Sequence, residues 1–434
     1  MLKRTRSFLV LVMLLMTVTM SAQVTTATMS GKVTAQDEPI IGATIVAIHE
    51  PSGTRYGTVT NVSGQFNLQG MRTGGPYKVE ISYVGYQTAI YKGINLLLGE
   101  NYVLNVSLKE SSELLDEVVV TASKESNMKS DRAGAIMNAN RDMISNTPTI
   151  SRSISDIMRL SPQGADVGNG FAVGGGNYRQ SFVTVDGAAF NNTFGLGGNL
   201  PANGSPISLD ALEQVTVAVT PFDVRQSGFT GGAINAVTRS GDNQFRGTAY
   251  MYFNNENLKG SKVDDYELLR SKAQYYTYGA SFGGPIIKDK LFFFVNGEYE
   301  DNVTAGSNYR PRTALGESYS GGNIHRPLQS DMDDMRGFLL NKYNFDPGKY
   351  NDYSTDTPAY RVMARVDWNA NQNNKVSFRF TKTHTKDSNF PTSSVSPLST
   401  SALYPGGTST EVIDGKPVGT IAPGQGRTSK YALS

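Results

Sequence analysis

The chain has 434 residues, and 40 Lys+Arg against 38 Asp+Glu leave a net charge of +2, so no global basic field argues for a nucleic-acid partner. Cysteine is absent, which excludes disulfide frameworks, thiolate metal sites and cysteine nucleophiles. With 45 Gly, 18 Pro, 22 Tyr and 19 Phe, and no apolar run of the 18 or so residues that a spanning helix needs, the profile is that of a turn-rich β protein. Any membrane crossing has to be made by strands.

Lys3, Arg4 and Arg6 precede the apolar run Phe8 to Met16, and small or polar residues follow through Ser21 and Ala22. That order is the one of a secretory signal peptide, so residues 1–22 are expected to be removed and the mature chain to start near Gln23. Residues 23–110 read as about seven short strands punctuated by Pro39, Gly42, Pro51-Ser52-Gly53, Ser63-Gly64, Gly74-Gly75-Pro76 and Gly85. Alternation is clear in Tyr77, Val79, Ile81 and Tyr83, and again in Leu104, Val106 and Leu108, which predicts a small β-sandwich. The succession Gly31-Lys32-Val33, Pro39 to Ala43, Thr60 to Phe66 and Tyr83 to Tyr86 resembles the carboxypeptidase-regulatory-like domain. In that family the domain is accessory and carries no peptidase chemistry.

Residues 111–133 form a polar linker around one β-prone stretch, Val118-Val119-Val120-Thr121-Ala122. Spacing alone allows an ordinary strand of the next domain or a strand donor that adds itself to a partner's sheet. The run Leu115, Asp116, Glu117, Val118, Val119, Val120, Thr121, Ala122 and Ser123 resembles the TonB box of TonB-dependent outer-membrane receptors. Such a box needs β-prone residues with no partner at home, and slack on both sides to reach one.

Residues 134–241 are mixed α/β. Ser153 is a plausible cap for a helix that places Ile154, Ile157 and Met158 on one face and is ended by Pro162. Phe182 to Gly187 reads as a strand running into a turn, Leu209 to Gln214 as a helical turn, Val215 to Val219 as a strand, and Gly231 to Thr238 as a glycine turn and strand. With Gly174-Gly175-Gly176-Asn177-Tyr178-Arg179 and Val185-Asp186-Gly187 between them, this order resembles the receptor plug. The family's common Arg-Gly-Pro is replaced here by Ala218-Val219-Thr220-Pro221, as in an Oar-like subgroup.

Beyond residue 241 aromatics become dense, with 13 between Phe245 and Tyr299. Strands are predicted near 244–254, 273–285, 290–300, 359–369 and 375–385, joined by connections alternately long and short, as in an outer-membrane barrel. Val362, Ala364, Val366 and Trp368 oppose Arg361, Arg365 and Asp367. Val376, Phe378 and Phe380 oppose Lys375, Ser377 and Arg379. The expected fold class is therefore mainly β: an N-terminal β-sandwich, a small α/β plug domain, and in residues 242–434 the first strands of a large transmembrane β-barrel. Barrels that hold a plug have about 22 strands, so this sequence is expected to be the N-terminal part of a longer protein.

Three decoys are set aside. Gly279-Ala280-Ser281-Phe282-Gly283 has the pattern of a nucleophile elbow, but Gly284-Pro285 forbids the helix that must follow. Gly168-Asn169-Gly170 lacks the Lys and helix of a phosphate loop. Asp331, Asp333 and Asp334 lack glycine-centred calcium spacing and read as a solvated loop. No catalytic residue, cofactor or metal site is expected, and the chain is not read as an enzyme.

The resemblance implies an outer-membrane transport receptor, with the sandwich and box in the periplasm and TonB, ExbB and ExbD supplying energy. A surface lipoprotein lid, as in glycan-importing relatives, and outer-membrane lipid complete the partners it suggests. The substrate is left open among glycan, peptide and metal chelate. A surface adhesin that transports nothing is the rival reading.

Overall fold

The computed structural model describes residues 25–110, 118–121, 136–149, 152–167, 170–191, 200, 205–219, 231–258, 260, 262–263, 266–267, 272–305, 310–318, 324–350, 353–371, 374–386, 409–413 and 416–421. The expected leader lies outside them. The chain divides into two compact units, the first formed by Met1–Ala249, Gly279–Glu298 and Tyr360–His384, the second by Tyr250–Tyr278, Tyr299–Ala359 and Thr385–Ser434.

In the first unit, nine short strands build a sandwich: β1 (Ala27–Ala35), β2 (Glu38–Pro39), β3 (Thr44–His49), β4 (Thr54–Val59), β5 (Gln65–Met71), β6 (Gly74–Ser82), β7 (Ala89–Leu96), β8 (Asn101–Val103) and β9 (Val106–Ser107). One sheet centres on β1, which pairs with β2 and β5 antiparallel and with β8 and β9 parallel. The other runs β7-β6-β3-β4 and carries a fifth strand outside β7, β10 (Val118–Thr121). Alternation puts Tyr77, Val79 and Ile81 wholly inside, against Met29, Val33, Ile45 and Phe66, while Lys78 and Glu80 pair at 2.7 Å on the water side. Tyr83 departs from the expected alternation. β6 ends at Ser82, and Tyr83 is 37% exposed in a turn whose Gly85 takes φ +87°.

The plug follows: β11 (Ile136–Asn140), β12 (Gly164–Asp166), β13 (Phe171–Val173), β14 (Phe182–Val185), β15 (Ala188–Ala189), β16 (Leu212–Ala218) and β17 (Ala233–Thr238). Its main sheet runs β11-β16-β17-β14-β15, with β14 and β17 parallel. Ser153 and Asp156 close a capping box on the helix Ile154–Met158, and Ile154, Ile157 and Met158 are fully buried. A second helix, Arg141–Asn146, was not foreseen; its Asn140 cap accepts from the Met143 N–H at 2.9 Å.

The remaining strands are β18 (Arg246–Asn255), β19 (Lys262–Val263), β20 (Tyr266–Glu267), β21 (Gln274–Ile287), β22 (Leu291–Ala305), β23 (Arg310–Arg312), β24 (Ile324–Leu328), β25 (Ser354–Asp356), β26 (Ala359–Asn369), β27 (Lys375–Thr385), β28 (Ser409–Ile413) and β29 (Lys416–Ile421). Consecutive long strands are neighbours in one sheet, β18-β21-β22-β26-β27. Its polarity is inverted relative to a soluble sheet: Arg361, Met363, Arg365, Asn296 and Glu298 are buried, while Val362, Trp368, Val376, Phe378 and Phe380 are exposed. An apolar outer face over a charged inner one belongs in hydrocarbon.

The acidic run read as a loop is helical instead. Asp331, Asp333 and Asp334 lie in the N-terminal half of the helix Gln329–Tyr343, with Asp331 in the first turn, where a carboxylate favours the helix dipole, and Asn344 ends it in the left-handed conformation at φ +51°.

Candidate functional site

Of the nine box residues, Leu115, Asp116, Glu117, Ala122 and Ser123 lie outside the described residues. Val118, Val119, Val120 and Thr121 form β10, parallel to β7, in the register Val118↔Ala89, Val119↔Ile90, Val120↔Tyr91 and Thr121↔Lys92. The expectation that this segment has no partner at home is therefore corrected. The edge of β7 offers unpaired backbone groups, and a β-branched tetrapeptide tethered nearby satisfies them. Among the described residues β10 is the last strand of its sheet, so its outer edge pairs with no other strand.

The tether before it is short. Glu110 bridges to Tyr86, and the Gln87 N–H donates to the Lys109 carbonyl at 2.9 Å, so the chain leaves the sandwich beside the start of β7. Seven residues, 111–117, bring it back to Val118 opposite Ala89.

The plug is lodged against the inner face of the strands by buried charge. Asp186, at φ +51° where β14 ends, accepts from the Thr238 N–H at 3.0 Å and the Thr238 hydroxyl at 2.5 Å. Its carboxylate also faces the Arg379 guanidinium at 3.5 Å and that of Arg365 at 3.9 Å, and Arg365 Nη1 donates to the Thr238 carbonyl at 2.6 Å. A second knot joins Arg361 Nη1 to Glu298 Oε1 at 2.9 Å, and Arg361 Nε donates to the Ser205 carbonyl. Ser208 Oγ donates to Glu298 Oε2 at 2.8 Å. A third seats the Arg239 guanidinium 4.8 Å from the Phe294 ring centre and 3.6 Å from Asp210. Phe294 and Met363 of the strands belong to the plug's own hydrophobic core. Buried ions survive only when paired and hydrogen-bonded, so these knots fix the plug in one orientation.

Sequence reasoning singled out Val185-Asp186-Gly187 and the alternating arginines of β26 but did not bring them together. The available signal was charge on the face of β26 opposite Val362 and Trp368, which demands counter-charge from inside. The decoys resolve in the same frame. Ser281 of the Gly-Ala-Ser-Phe-Gly run lies within β21, its hydroxyl 2.6 Å from that of Thr248 and with no histidine among its hydrogen-bond partners.

In the sandwich, burial first and the nearby Arg72 charge second pull His49 down to about 3, so it is neutral at pH 7. Its Nδ1 lies 2.7 Å from Ser52 Oγ, which in turn lies 2.7 Å from Thr54 Oγ1. Burial raises the Tyr77 hydroxyl well above its usual value.

Residues 28–109 match the carboxypeptidase regulatory-like domain, and residues 237–414 match an outer membrane beta barrel domain. Over 256 residues the chain is 27% identical to the TonB-dependent transporter Oar of Myxococcus xanthus, covering 57% of this chain and 22% of Oar. Over 269 residues it is 29% identical to the TonB-dependent receptor SusC of Bacteroides thetaiotaomicron, covering 58% of this chain and 24% of SusC. The chain thus spans about a quarter of the length of these curated relatives. Among solved structures, the siderophore receptor PirA from Acinetobacter baumannii aligns with 58% of this chain and 31% of its own, at 16% identity and a TM-score of 0.39. The ferric enterobactin receptor PfeA of Pseudomonas aeruginosa aligns with 58% and 33%, at 15% identity and a TM-score of 0.40.

Proposed function

We propose that this chain, which belongs to the TonB-dependent outer-membrane receptors that carry an N-terminal carboxypeptidase-regulatory-like domain, is the energy-coupling part of an importer. Leu115 to Ser123 are its TonB box. The supporting observation is the placement of Val118–Thr121: a separate β-branched strand between two folded domains, at a sheet edge, joined through 122–135 to a plug held inside the strands.

The chemistry required of such a box is modest. Its backbone must offer alternate N–H and C=O groups to a partner strand, and that pairing must carry tension to the plug. The partner is the periplasmic TonB protein, driven through ExbB and ExbD by the inner-membrane proton gradient. The plug knots at Asp186, Glu298 and Asp210 hold the lumen closed until that pull arrives. The cargo is a glycan, peptide or metal chelate taken up from outside.

Val119→Pro tests the reading. It removes one ladder donor and forces a backbone angle that disfavours a central strand position. The full-length receptor carrying it is expected to lose binding to the TonB carboxy-terminal domain at least tenfold, a cost of about 1.4 kcal/mol or more, while still assembling in the outer membrane. Unchanged TonB binding would refute the box.

A further inference from the structure

The sandwich turn Pro51–Tyr56 meets the connection from the plug into β18 and the two short turns of the described barrel strands, β21–β22 and β26–β27. The Asn243 N–H donates to the Pro51 carbonyl at 2.9 Å, and Asn369 Nδ2 donates to Thr54 Oγ1 at 2.9 Å. The Lys375 ammonium lies 3.2 Å from the centre of the Tyr56 ring. The three connections are themselves tied together, because Asn243 Nδ2 donates to Asp289 Oδ1 at 2.8 Å and Asn369 Nδ2 to the Asp289 carbonyl at 3.1 Å. Gly53 fits this seat as no other residue does. It sits at φ +63°, and a Cβ there would come 2.1 Å from Asp289 Oδ1.

The seat is built to come apart. The sandwich has a hydrophobic core of its own, whereas the plug shares its core with Phe294 and Met363 of the barrel strands. Among the described residues, a small apolar contact of Leu98 with Val237 and a hydrogen bond from Asn138 Nδ2 to Glu100 Oε1 join sandwich to plug. Beside the seat lies a cavity of about 310 Å³ lined by Arg72, Glu213, Asp367 and Lys375 among others. A polar interface of this kind separates more readily than a shared core.

The two arms of the box differ in reach. Seven residues (111–117) separate β10 from Glu110 of the sandwich, and fourteen (122–135) separate it from Ile136 of the plug. At full extension these arms span about 27 Å and about 51 Å, so a pull on β10 draws the sandwich arm taut first.

We infer that the sandwich is a latch seated on the periplasmic rim of the barrel, and that it is the first element loaded and unseated when the box is pulled, before the plug moves. This order rests on the box reading above; the seat itself does not. Pairing of β10 with β7 adds a direct grip on the sandwich.

The cysteine-free chain allows one engineered bridge to test it. A Cβ built at Gly53 lies 2.9 Å from Asp289 Cγ, close to the separation of about 3 Å between a Cβ and the partner sulfur in a disulfide. Gly53→Cys with Asp289→Cys in the full-length receptor is therefore expected to oxidise in the periplasm, and Thr54→Cys with Asn369→Cys repeats the test should the turn reject a side chain at 53. The reconstituted receptor is then pulled through a bound TonB carboxy-terminal domain in single-molecule force spectroscopy. Reduced receptor should show a low-force unseating event ahead of plug extension. Oxidised receptor should lose that event and release instead the chain between residues 53 and 110, with the plug still in place. Absence of both bridges, or the same first event in oxidised and reduced receptor, overturns the latch. Failure of the TonB domain to grip the unaltered receptor overturns the box, and the order of loading with it, while bridge formation still reads the seat.

Discussion

β6 of the sandwich and β26 of the barrel alternate with the same period and opposite sense. In β6, Tyr77, Val79 and Ile81 are buried while Lys78 and Glu80 face water. In β26, Arg361 and Arg365 are buried while Val362 and Trp368 are 44% and 51% exposed. A period of two says only that a strand has two unlike faces. Which face turns outward is decided by what lies outside, and the inversion shows that β6 meets water and β26 meets lipid.

The comparison is broken most severely by Arg361→Ala. In β26 the buried residue is an ion, so truncation removes the guanidinium that bonds the buried Glu298 carboxylate at 2.9 Å. A cost of about 3 to 5 kcal/mol is expected, largely recovered when Glu298→Leu is added to make the pocket apolar. Urea titration of the full-length receptor in lipid, with single and double variants side by side, measures it. Equal loss in the single and double variants would mean that packing, not charge, governs the inner face.

Exposed aromatics sharpen the same contrast. Phe378 of β27 is 67% exposed and Tyr83 of the sandwich 37%. Phe378→Lys places a charge on the lipid face and should cost up to about 2 to 4 kcal/mol at mid-bilayer depth. Tyr83→Lys stays in water and should change stability by no more than about 0.5 kcal/mol. Similar losses at both sites would deny the two strands different surroundings.

Much of the fold is legible in the sequence because it rests on local rules. Alternation and loop length place the long strands, with β26 and β27 at 359–369 and 375–385, and the Ser153 capping box marks its helix. What escapes depends on partners distant in the chain. The docking of Val118–Thr121 on Ala89–Lys92 requires knowing that β7 ends a sheet. The knots of Asp186 with Arg365 and Arg379 span about 180 to 190 residues, and no local pattern records such a pairing. The helix Arg141–Asn146 is only six residues long, too short for a periodic signal, and betrays itself only through the Asn140 cap. Asp331, Asp333 and Asp334 read as a loop in the sequence because exposed acidic residues suit the water-facing surface of a helix as readily as a solvated loop.

The smallest of these effects separates two ways of burying a base. Arg361 is buried inside the barrel against the Glu298 carboxylate at 2.9 Å, whereas His49 is buried neutral inside the sandwich, with its value lowered from 6.5 to about 3 by burial and by Arg72. Between those two values the unfolded sandwich binds a proton that the folded one refuses, so stability rises with pH across that window. The contribution is fully present above pH 6.5 and is lost as pH falls toward 3, and the loss amounts to about 2 kcal/mol at pH 5. Hydrogen exchange of the β3 and β6 amides at pH 7 and pH 5, corrected for intrinsic rates, should show that loss in the unaltered receptor. His49→Gln, which keeps a polar group near Ser52 but cannot be protonated, should flatten it. The same steep acid dependence in the Gln variant would assign the effect to other groups.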